Sequence, residues 1–70
     1  MIKTAQYFVV LVTAPKLTVA RKLARSILKN RLAACVNLVS DVESHYWWEG
    51  KICADSEILM VIKTSRANLK

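Results

Sequence analysis

From Tyr7 to Val12 every residue is apolar, and the run is rich in valine. Its length and β-branched content predict a central strand buried on both faces. Pro15 ends it, since proline has no N–H for a sheet ladder, and sits well just ahead of a helix. Leu17, Ala20, Leu23, Ala24, Ile27 and Leu28 then recur at the 3.6-residue period, with Arg21, Lys22, Arg25 and Lys29 off the stripe. That spacing predicts an amphipathic helix over 17–28. Asn30 and Arg31 mark its end, with Lys29 and Arg31 near the negative pole of the helix dipole.

Beyond Leu32 the period changes from 3.6 to 2, predicting a long strand from Ala33 to Trp48 with a bulge near Ser40–Asp41. Glu49–Gly50 reads as a two-residue turn, glycine supplying the positive φ. The return strand runs from Lys51 to about Lys63. This turn pairs Trp48 with Lys51 and Trp47 with Ile52; continued unbroken, the register sets Glu43 opposite Ser56 and Cys35 opposite Thr64. Thr64–Ser65 offers an N-cap for a helix that starts at Arg66–Lys70. The order β-α-β-β, plus the start of a second helix, is the opening part of a ferredoxin-like split βαβ subunit of the α+β class with a long hairpin. A complete fold of that kind also needs the rest of the second helix and a fourth strand. The expectation is therefore one domain, 1–70, incomplete after Lys70.

At 70 residues and 54% hydrophobic, the chain is long enough for one domain but for only a thin core. Oligomerisation is the expected remedy. The longest apolar run is far too short to span a bilayer, so no membrane partner is expected, and Lys3 with the apolar stretch after it lacks the cleavage signature of a secretory signal. A net charge of +6 suggests a polyanion, but six of the eleven Lys and Arg lie between Lys16 and Arg31, where a helix needs a solvated face anyway. Nucleic acid is not expected as a partner. Two cysteines distant in sequence fit a reducing compartment as well as any other, and without a signal-peptide pattern the cytoplasm is the default location.

The single glycine cannot build a phosphate loop, and the single histidine, His45, stands among polar strand neighbours with no nucleophile elbow near it. Asp41, Glu43, Glu49, Asp55 and Glu57 gather on the hairpin, where acids are commonly solvated. Cys35 and Cys53 lack the spacing of a zinc finger, and the register keeps them too far apart for a disulfide. Cys53 reads as a small buried hydrophobe; Cys35 could be a soft Cu(I) ligand if other donors approach it. Tyr46-Trp47-Trp48 must face both sides of a strand, so at least one ring is expected to bury against another subunit.

Ala33-Ala34-Cys35-Val36-Asn37, Ser44-His45-Tyr46-Trp47-Trp48-Glu49-Gly50-Lys51, Asp55-Ser56-Glu57 and Ile62-Lys63-Thr64, in this order, closely resemble the CutA divalent-cation tolerance family. Thr13-Ala14-Pro15 fits the same pattern. The resemblance implies a ferredoxin-like subunit in a tight homotrimer, in which the hairpin, with Tyr46, Trp47, Trp48, Glu49, Gly50 and Lys51, reaches neighbouring subunits. It implies tolerance of copper and other divalent cations and brings no enzymatic reaction with it. Cys35 stands at the family's cysteine, whereas Val12 stands where some bacterial members carry another, and the family's H-P-Y histidine would lie after Lys70.

The expected function is thus a non-enzymatic homotrimeric protein of copper and divalent-cation tolerance, binding copper or another divalent metal weakly with Cys35 as a ligand. Two alternatives come from other classes. One is a trimeric small-molecule sensor of the PII-like type, with ligands between subunits; the other is a structural scaffold that binds a further protein.

Overall fold

A computed structural model of the chain describes residues 7–65. Its elements are β1 (Tyr7–Ala14), α1 (Leu17–Lys29), β2 (Cys35–Trp48) and β3 (Lys51–Ser65). The three strands form one antiparallel sheet in the order β1-β3-β2, and the β-α-β-β order is that of the ferredoxin-like fold. The predicted helix from residue 66 onward lies outside the described residues.

α1 covers one face of the sheet. Leu17, Ala24 and Ile27 pack with the fully buried Ala20 against Ile58, Met60 and Ile62 of β3, with Val10 beside them on β1 and Val36 and Leu38 on β2. Leu23 and Leu28, which the periodicity also puts on the stripe, are exposed, because they lie at its two borders. The opposite face of the sheet carries no helix among the described residues. Among the described strands β1 is therefore at the edge and not the central strand buried on both faces that its composition predicts, and Tyr7, Val9 and Leu11 are each at least 60% exposed. β3 takes the centre instead.

Helix α1 ends without glycine. Arg31 takes φ 56°, and the N–H groups of Arg31 and Leu32 donate to the carbonyls of Leu28 and Ile27, each at 3.0 Å. This is a Schellman closure built on a residue that dislikes the left-handed conformation. The hairpin turn repeats the pattern: φ is 49° at Glu49 and 76° at Gly50, as a type I′ turn requires.

Trp48 pairs with Lys51 and Glu43 with Ser56, as the turn dictates. Between Val39 and Val42 the register shifts, with Asp41 at φ 61° as the left-handed residue of the bulge. Past it Cys35 lies opposite Lys63, not Thr64. The unbroken register fails because one extra residue on β2 sends every later side chain to the other face. The shift turns Val36 and Leu38 toward α1 and Cys35 toward the open face. β3 continues through Thr64 to Ser65, and the Thr64 hydroxyl, 5% exposed, donates to the carbonyl of Leu32 at 2.5 Å; the helix that Thr64–Ser65 is expected to cap lies outside the described residues.

Candidate functional site

Cys35 opens β2 directly after Ala34, whose N–H donates to the carbonyl of Lys63 at 2.9 Å and fixes the start of the ladder. The thiol is half-buried and unbridged, and its Sγ lies 3.7 Å from Oδ1 of Asn37, two residues on and on the same face. Beside it, a surface cavity of about 530 Å³ opens at the end of the sheet between Tyr7, Phe8, Val9, Ala34 and Lys63–Ser65. Asn37 is the neighbour that sequence reasoning did not single out, although the two-residue spacing already places both side chains on one side of a strand.

Cys53 is also half-buried and unbridged, and it lies opposite Tyr46 on the hairpin. Ten strand positions separate it from Lys63, the residue facing Cys35, or about 30 Å at strand rise, so the two thiols of one copy do not meet. Tyr46 uses its hydroxyl to donate to Asp55, the residue diagonal to it across the hairpin. That hydrogen bond, with burial and the negative field of Asp55, Cys53 and Glu57, pushes the phenol up to about 12. The diagonal contact was available from the turn register, since Tyr46 faces Cys53 and Asp55 lies two residues on. His45 Nε2 lies 3.2 Å from Oε2 of Glu43, with both side chains largely in solvent.

Among the described residues no three His, Cys, Asp or Glu side chains come together as a metal site. The described residues of one copy place Cys35 and the acids of the hairpin in different parts of the molecule. The aromatic tip is also incomplete alone: Trp47 and Ile52 pair across one face at 72% and 67% exposure, and Trp48 is 63% exposed on the other. Rings of this size are unusual on the surface of a lone soluble domain. No helix among the described residues is long and apolar enough to cross a membrane.

The profile described as CutA1 divalent ion tolerance protein matches residues 8–70. The chain is 50% identical over 68 residues to an Arabidopsis thaliana protein named Protein CutA, chloroplastic, covering 97% of this chain and 37% of that one. It is 46% identical over 57 residues to the divalent-cation tolerance protein CutA of Thermus thermophilus, covering 81% of this chain and 55% of the relative. The crystal structure of CutA1 from Oryza sativa superimposes with a TM-score of 0.89 at 48% identity, over 93% of this chain and 60% of that one. The chain thus spans about a third to just over half of these relatives' full lengths.

Proposed function

The chain belongs to the CutA1 divalent ion tolerance family, and from that premise we propose that it acts in divalent-cation tolerance as a non-enzymatic homotrimer that binds copper or another divalent cation weakly. The observation that carries the assembly is the surface a single copy leaves bare. Tyr7, Val9, Leu11 and Val39 line the open sheet face, and Trp47, Trp48 and Ile52 crown the hairpin. Neighbouring copies covering the sheet face and gripping Tyr46–Lys51 would bury these side chains.

Cys35 is the ligand we assign to the metal. A thiolate favours Cu(I), while the carboxylates of the hairpin favour hard cations without selectivity. The rest of the donor set would have to come from other copies or from outside residues 7–65. Two free thiols suit the reducing cytoplasm.

Native mass spectrometry of the chain with and without Cu(I), beside a Cys35→Ser variant, tests the reading. Trimers that take up copper and lose it in the variant are expected. Trimers that stay metal-free would favour a PII-like sensor or a scaffold instead, and monomers at micromolar concentration would overturn the assembly. The scaffold reading has one observation of its own, the unpaired cationic face of α1.

A further inference from the structure

Charge is segregated in this molecule. Six cations lie on α1 and its ends, from Lys16 to Arg31, and the helix contains no acid; all five carboxylates of the chain lie between Asp41 and Glu57. Arg21, Lys22 and Arg25 stand with Thr18 around a shallow groove of about 260 Å³ on the solvent side of α1. Lys29 extends the row: Arg21, Arg25 and Lys29 follow at four-residue spacing, each about 6 Å further along the axis. All of these side chains are exposed, and among the described residues the only ion pair is that of His45 with Glu43. Like charges at this spacing repel, and the first turn has neither an acid nor a side-chain cap to offset the dipole. Among the described residues the row therefore remains uncompensated.

The borders of the row are apolar. Val19 and Leu23 flank it on one side and Leu28 on the other, each between 38% and 44% exposed. The geometry points to the solvent face of α1 as a docking surface for an acidic amphipathic segment of a partner protein. Its carboxylates would meet Arg21, Lys22, Arg25 and Lys29, and its apolar side chains would rest on Val19 and Leu23. A nucleic-acid backbone would match the cations but leave the apolar borders unused. A bilayer needs an apolar helix face free to insert, and that of α1 is occupied by the core.

The inference does not depend on the metal reading, and one experiment separates them. The probe is a fluorescein-labelled peptide of about 14 residues, enough to lie along α1, with Glu on one helical face and Leu on the other. Its anisotropy is titrated with the whole chain at several salt concentrations, beside an equally labelled single-stranded oligonucleotide and vesicles of phosphatidylserine and phosphatidylcholine. Saturable peptide binding that weakens with salt is expected. The double variant Arg21→Glu/Arg25→Glu should weaken it about tenfold or more, while Lys51→Glu and Cys35→Ser leave it unchanged. A peptide with Lys in place of Glu should bind the double variant better than the natural chain, which shows that the variant is folded. Equal peptide affinity in the double variant would overturn the proposal. So would tighter binding of the oligonucleotide or the vesicles than of the peptide.

Discussion

Three of the described residues hold positive φ without being glycine, and each does so where the backbone must reverse or slip: Arg31, Asp41 and Glu49. Arg31 closes the end of α1 at a position that glycine fills more readily. Arg31→Gly should raise stability by about 1 kcal/mol, read as a higher urea midpoint with unchanged slope. Gly50 is the converse. A Cβ there would meet nothing within 4 Å, so the penalty of Gly50→Ala is purely conformational, about 1–2 kcal/mol at φ 76°. Tyr46 gives a third test at this scale. Its phenol ionises at about 12 in the fold against an ordinary 10.0, so the fold favours the protonated form. The stabilisation is therefore complete below pH 10 and is lost as pH rises toward 12. Ultraviolet titration should show one late-ionising tyrosine that disappears in Asp55→Asn; an unchanged titration would refute the hydrogen bond as the cause.

At the scale of elements, the bulge decides which side chains become core. It turns Val36 and Leu38 inward and Cys35 outward. Deleting Asp41 leaves an unbroken ladder from the turn that still sets Cys35 opposite Lys63, so Val36 and Leu38 should stay under α1 and only the left-handed residue is lost. The expected result is a retained cooperative unfolding transition by circular dichroism, and its loss would show that the bulge itself is required. Met60, at the centre of β3 and fully buried, should lose about 2–4 kcal/mol on replacement by alanine. Much of this was legible beforehand. Period and punctuation located α1, both long strands, the turn and even the bulge, because each is a local property of the chain. The register beyond the bulge was not legible from the turn alone, since a slip is visible only if it is carried into the pairing. The place of β1 escaped for a different reason: an all-apolar run shows that both faces want cover, but not that the described sheet covers only one. Cys35 could be found from its motif, but its contact with Asn37 and its side of the sheet followed only from the true register.

For the whole molecule, the long axis measures 49 Å against 24 and 20 Å across, close to the length of the fifteen-residue strand β3. The body under α1 holds the buried side chains, while the hairpin beyond the bulge is two strands thick and exposes its rings. A two-stranded ribbon is marginal on its own in water. If neighbouring copies grip the tip as proposed, Trp48→Ala should lower the urea midpoint of the trimer and make it depend more steeply on protein concentration. Unaltered trimer stability would remove Trp48 from the seam.

The bulge has one more consequence, for how such a hairpin can change over evolutionary time. Side chains alternate with period two, so single insertions beyond Asp41 would invert the ribbon, whereas matched pairs on both strands would leave its faces as they are. Reach is therefore quantised, in steps of about 7 Å per added pair on each strand. Below the bulge the body sets its own phase, so the ribbon can lengthen or shorten by such steps without disturbing Val36, Leu38 or the packing of α1.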